Sequence, residues 1–135
     1  MPNWQPNWNN VRWDWGAASV AASSLRRAAD KLDATAQERQ RAATEAQREW
    51  RGRYREEFDE QLRNMLRRAT ELAAEFRYMA HRIEQASQNA WAEQRHRESE
   101  RRRWHSEKRE EEERERRRRE EERRRREEER RRQNG

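Results

Sequence analysis

The chain has 135 residues, of which 46% are charged and 30% are hydrophobic, and its formal net charge is +6. A chain this polar cannot build one large apolar core, so we expect a small helical module with a non-globular appendage. It contains no cysteine, which excludes disulfide bonds and thiolate chemistry. No run of 18 apolar residues occurs, so no membrane-spanning helix is predicted.

The first segment, residues 1–15, holds four of the seven tryptophans. It has neither the basic start nor the apolar run of a secretory signal peptide, so any export is expected to use a route that needs none. Its prolines keep the beginning extended, and Asp14 is placed to cap a helix that starts near Gly16.

Three tryptophans are predicted to lie together at the open end of the helical module. They are Trp13, Trp15 and Trp91, and we expect them to form an aromatic clasp. The alternative interpretation is an anchor for a partner protein or for a membrane interface, because indole suits half-wet surfaces.

Residues 16–93 carry small or apolar side chains at alternating steps of three and four, which indicates two amphipathic helices. Folding the chain at Gly52 places the two series opposite each other, with large residues mostly facing small ones. We therefore predict an all-α fold, an antiparallel two-helix hairpin in which Gly52 ends the first helix. The large apolar residues of the predicted seam, in the hairpin or its dimer, are Leu25, Leu32, Phe58, Leu62, Leu72, Phe76, Met79 and Ile83.

A second row of small residues adjoins the seam on both helices, so each apolar stripe is wider than a two-helix contact requires. A seam that is half alanine buries little apolar area, and such small cores usually need oligomerisation. We expect two hairpins to form a four-helix bundle. The alternative is that the alanines serve helix propensity alone.

Trp50, Arg51 and Gly52 form a Trp-x-Gly sequence at the pivot between two helices of equal length. This arrangement resembles the WXG-100 superfamily, the ESAT-6-like helical hairpins of type VII (ESX) secretion, over residues 14–93. The resemblance implies a homodimer, or a heterodimer with a related hairpin, that is a substrate or partner of the secretion machinery. It also implies a protein without catalysis that is cytoplasmic before export.

The resemblance further implies a Tyr-x-x-x-Asp/Glu signal beyond the second helix, usually in the partner chain. Here Tyr78 is followed four residues later by Arg82, and Tyr54 by Phe58, so neither fits. An exported dimer would need its partner to supply this signal. On the residues alone, Trp50 is predicted to close the tip of the bundle with Tyr54 and Phe58.

Residues 94–135 hold 19 basic and 14 acidic residues, so most of the positive charge lies in this tail. Blocks of three or four like charges repeatedly place opposite charges four residues apart, and each such pair contributes about 0.2–0.5 kcal/mol. We predict a solvent-exposed single helix that continues the second helix. Disorder and a basic nucleic-acid arm are the alternatives, although the acidic blocks would repel a phosphate backbone.

The three histidines, His81, His96 and His105, are too far apart along a helix to share a metal ion with a carboxylate pair. No phosphate loop, nucleophile motif or catalytic constellation is present, so we expect no metal, cofactor or small-molecule substrate. The sequence predicts a non-enzymatic hairpin of secretion type. A structural coiled-coil spacer is the alternative from another functional class.

Overall fold

The computed structural model describes residues 2–135, which contain two α-helices and no strand. Helix α1 spans Trp15–Gln47 and helix α2 spans Arg53–Asn134. Helix α1 is rich in alanine and α2 in arginine and glutamate, which favour helix, and α2 contains neither glycine nor proline. The all-α prediction is therefore confirmed, and the two helices pack against each other.

The chain divides into two compact units, and α2 contributes residues to both. The helix-pair unit is Trp13–Ala90. The tail unit combines the residues up to Arg12 with Trp91–Gly135. Each candidate site lies within a single unit.

Helix α1 begins at Trp15, and Asp14 is its N-cap, as predicted. Asp14 adopts an extended backbone, and its Oδ1 accepts a hydrogen bond of 2.9 Å from the backbone N–H of Ala17. This bond satisfies one of the donors that the first turn of a helix leaves without a partner.

Helix α1 ends at Gln47, earlier than the sequence predicts, so Trp50 lies in the connection and not in the helix. The N–H of Arg48 donates to the carbonyl of Glu45, and the N–H of Trp50 donates to that of Gln47. These i to i−3 bonds tighten the chain and end the α-helical ladder. The side chain of Trp50 is thereby free to reach α2.

Gly52 adopts φ +112° and directly precedes α2. No atom lies within 4 Å of the position that a Cβ would occupy, so the backbone conformation alone requires glycine here. The carbonyl of Gly52 accepts a 3.2 Å hydrogen bond from the N–H of Arg55 in the first turn of α2. Gly52 therefore lies immediately before the second helix, whereas the sequence predicts that it ends the first.

Every buried residue of the helix-pair unit is an alanine. They are Ala18, Ala22, Ala29 and Ala43 of α1 and Ala73 and Ala80 of α2. Alanine has a small side chain, so an alanine row lets two helix backbones approach more closely than a row of leucines would. The larger apolar side chains consequently flank the contact between the helices and do not fill it.

The contact differs from the predicted seam by one residue on α2. Ala73 and Ala80 have no exposed surface, whereas Leu72 is 39% and Met79 is 49% exposed. The other large seam residues, Leu25, Leu32, Phe58, Leu62, Phe76 and Ile83, are half-buried. Close helix approach favours the alanine row at the centre and moves the neighbouring large side chains to its edge.

Candidate functional site

The connection between the helices is held by Trp50. Its ring lies 5.2 Å from that of Phe58, centroid to centroid, with the planes tilted by 50°. Its carbonyl accepts a hydrogen bond of 2.9 Å from Nη1 of Arg55. Tyr54, which the sequence predicts to join Trp50 and Phe58 at the tip, is exposed and makes no ring contact with this pair.

Polar contacts between the helices follow the helix pair away from this turn. Gln47 donates to Asp59, Nη1 of Arg39 lies 3.3 Å from the sulfur of Met65, and Nη2 of Arg77 donates to Asp33. As α1 is followed back toward its N-terminus, its partners lie progressively later in α2. These contacts fix the register of the helix-pair unit.

Arg26 and Glu84 form a two-bond ion pair between the helices. The hydrogen bond from Arg26 lowers the pKa of the Glu84 carboxyl below its usual value. Because the folded-state pKa is the lower one, the pair adds stability above the pKa of the unfolded carboxyl, and this is lost as pH falls through the folded-state value. Both side chains are largely exposed, so the contribution is small.

A groove of about 420 Å³ opens beside the turn on the surface of the helix-pair unit. Its walls are mainly apolar and include Phe58, Leu62 and Met65 of α2 and the alanines of the last turns of α1. Arg39 lies at its end. A groove with these walls suits apolar side chains of a partner.

A second groove, of about 300 Å³, continues from the first because both are lined by Arg39 and Met65. Its apolar walls include Leu32 and the exposed Leu72. We call the surface formed by the two grooves the open face. It offers a partner a mainly apolar surface that two cationic side chains, Arg39 and Arg68, also line.

The tryptophans of the predicted clasp lie in different surroundings. Nε1 of Trp13 donates to the hydroxyl of Ser87 at 2.9 Å, and Nε1 of Trp15 donates to the carbonyl of Ser87 at 3.0 Å. In the tail unit, Trp91 is exposed, and the guanidinium carbon of Arg95 lies 4.7 Å from its ring centroid. A clasp of all three residues stays a prediction.

The tail unit contains a contact that the sequence does not predict. Residues 2–11, which we call the strap, run in an irregular extended path along α2 and make eight hydrogen bonds to it. Trp104 is only 7% exposed, and its Nε1 donates to the carbonyl of Trp4 at 3.0 Å. Nε1 of Trp4 in turn donates to Oε2 of Glu107 at 2.6 Å.

Two signals in the sequence point to this contact. Trp104 is the only large apolar residue after Trp91, so it marks the position in the tail where an apolar contact can form. Gln94, Arg97 and Arg101 precede it at steps of three and four, on the same helical face. The strap covers this face, so the tail is fully exposed only from residue 112 onward.

Within residues 2–135, no cluster of His, Cys, Asp or Glu has the geometry of a metal site, and no helix is long and apolar enough to cross a membrane. In comparisons with protein-family models, curated proteins and solved structures, the chain has no match.

Proposed function

We propose that the protein is a non-enzymatic antiparallel helical hairpin that dimerises through the open face into a four-helix bundle. In this proposal it acts as a substrate or partner of a type VII-like secretion system. The observation that carries the proposal is the Trp-x-Gly connection, with the Trp50 ring in tilted contact with Phe58 and Gly52 at φ +112°. Its likeness to the WXG-100 pivot is what supports the secretory role.

Dimerisation is supported by what the helix-pair unit leaves uncovered. Its buried residues are alanines only, which contribute little apolar area, while Leu72 and Met79 remain exposed. A second hairpin placed on the open face would cover Leu72 and the grooves and supply the large-residue core that a single chain lacks. The partner is a second copy or a related hairpin.

Light scattering on the full chain at micromolar concentration is expected to give twice the mass of one chain. Leu72→Asp should shift this mass toward the monomer, because the dimer would bury an unpaired carboxylate. Val20→Asp is the matched control, since Val20 is an exposed apolar residue that does not line the open face. A wild-type monomer, or equal masses for the two variants, would contradict the four-helix bundle.

Export is the direct test of the secretory role. We expect Trp50→Phe to keep the aromatic contact with Phe58, and hence the fold, but to reduce export severalfold when the chain is co-expressed with its partner and the machinery. Tyr54→Phe is the control, because Tyr54 is equally near the turn but exposed. Unchanged export of a folded Trp50→Phe chain would restrict Trp50 to a structural role.

A structural spacer is the second candidate. It is supported by the exposed helical residues after position 111, which consist almost entirely of arginine and glutamate and need no partner to remain in solution. A chain that dimerises but is exported under no pairing would favour this role.

A further inference from the structure

The strap is recognised mostly through its main chain. Nε and Nη2 of Arg101 donate to the carbonyls of Asn7 and Asn9 at 3.0 and 2.7 Å. Nη1 of Arg97 donates to the same Asn9 carbonyl at 3.1 Å, and Oε1 of Gln94 accepts from the N–H of Val11 at 2.8 Å. Side chains that hold a peptide by its carbonyls and N–H groups select an extended backbone, as dedicated peptide-binding surfaces do.

One side chain of the strap, Asn10, is also bound through its oxygen acceptor. The Oδ1 atom of Asn10 accepts from Nη1 of Arg101 at 2.9 Å and from Nε2 of Gln94 at 3.0 Å. Arg101 thus donates three hydrogen bonds to the strap, in a forked arrangement that a lysine cannot reproduce.

The indoles of the strap fit an aromatic and cationic surface on α2. The Trp8 ring meets Trp104 edge to face at 5.2 Å, and His105 lies 5.6 Å from Trp8. The guanidinium carbon of Arg103 lies 4.3 Å from the Trp4 ring centroid, a cation–π distance. Together with buried Pro6, these contacts select a peptide with two tryptophans four residues apart.

The strap sequence repeats the tripeptide Pro-Asn-Trp, at residues 2–4 and 6–8. Each repeat places its indole on the same surface of α2, one beside Glu107 and the other beside Trp104. The chain therefore holds both a ligand and a site that fits it. Because every copy carries both, a neighbouring copy offers the same ligand with the same contacts.

We infer that the face of α2 from Gln94 to Lys108 is a binding site for extended peptides with two tryptophans four residues apart, such as the paired Pro-Asn-Trp repeats of the strap. It is occupied within one chain by the strap, and it accepts the strap of a second copy by exchange. None of the eight hydrogen bonds depends on which copy supplies the peptide, so only effective concentration favours the intrachain state. This inference does not depend on the secretory role.

A labelled synthetic peptide of residues 2–12 tests the site on the full chain. A Trp4→Ala,Trp8→Ala chain has a weakened strap and an intact site, so we expect it to bind the peptide measurably by fluorescence anisotropy. Wild type should bind roughly tenfold more weakly or worse, because its own strap competes at high effective concentration. No binding by the double variant, or equal binding by both chains, would overturn the inference.

Arg101 provides the specificity control in the same double variant. Adding Arg101→Ala should abolish peptide binding, whereas Arg102→Ala, at the neighbouring exposed position, should preserve it. If circular dichroism shows that the Arg101→Ala variant loses helix, the Arg101→Lys variant is used in its place. Lysine keeps the positive charge but lacks the forked donors of the guanidinium group. Equal binding by folded Arg101 and Arg102 variants would refute this site.

Exchange between copies is tested by complementation. One copy carries Trp104→Ala and a donor dye at its N-terminus. The other copy carries Trp4→Ala,Trp8→Ala and an acceptor dye on Ser106→Cys. This cysteine is the only thiol, because the native chain has no cysteine. Mixing should raise energy transfer above a matched mixture in which both copies carry Trp104→Ala. No excess transfer would restrict the site to its own strap and overturn the exchange.

Discussion

Replacing Ala73 with Asp is expected to unfold the helix-pair unit. Ala73 has no exposed surface and lies in the contact between α1 and α2. A carboxylate there would be buried without a partner, which costs on the order of 3–5 kcal/mol. This is a large part of the 5–15 kcal/mol or so by which domains are usually stable.

The adjacent Ala74 provides the matched control, because it is exposed on the same helical turn. Ala74→Asp carries the same change in charge and the same loss of helix propensity, about 0.5 kcal/mol. The two variants are compared by their urea midpoints, with circular dichroism as the probe, and by hydrogen exchange of residues 13–90. Equal midpoints would mean that Ala73 does not lie at the centre of the helix contact.

Replacing Trp104 with Ala is expected to release the strap. The indole of Trp104 is buried, donates to the Trp4 carbonyl and contacts the Trp8 ring. Removing a buried tryptophan costs about 3–5 kcal/mol. We expect the loss in the tail unit, seen as faster hydrogen exchange over residues 94–111 and as faster chymotryptic cleavage after Trp8.

Trp91→Ala removes the same side chain from an exposed position of α2 and should leave the strap in place. Hydrogen exchange over residues 94–111 in this variant should match wild type. If both variants released the strap equally, the burial of Trp104 would not be what holds it.

The sequence predicts the two helices well because their signal is local. The N-cap Asp14 and the absence of glycine and proline between Gly52 and Gly135 are readable without any tertiary information. The periodicity also identifies the apolar side of each helix. It cannot choose between Leu72 and Ala73, because both rows lie within one wide stripe and only the close approach of the backbones decides between them.

The turn and the strap were harder to predict, for different physical reasons. Trp50 continues the apolar period of α1, but its contact with Phe58 is available only if the chain leaves the helix first. The strap is bound largely through carbonyl groups of residues such as Asn7 and Asn9. Every residue has a main-chain carbonyl, so the sequence does not show which of them accept a hydrogen bond. The sequence signals of this contact are the isolated Trp104 and the spacing of Gln94, Arg97 and Arg101 on the same helical face.

An interior of alanine also affects how the stability of the helix-pair unit depends on temperature. Unfolding changes the heat capacity by roughly +0.45 cal/K/mol for each Å² of apolar surface exposed and by roughly −0.26 for each Å² of polar surface. Alanine methyl groups expose little apolar surface when the two helices separate. We therefore expect a heat-capacity change per residue below the usual value of about 12–15 cal/mol/K, and a stability curve that is flatter and broader than that of a domain with a leucine-rich core.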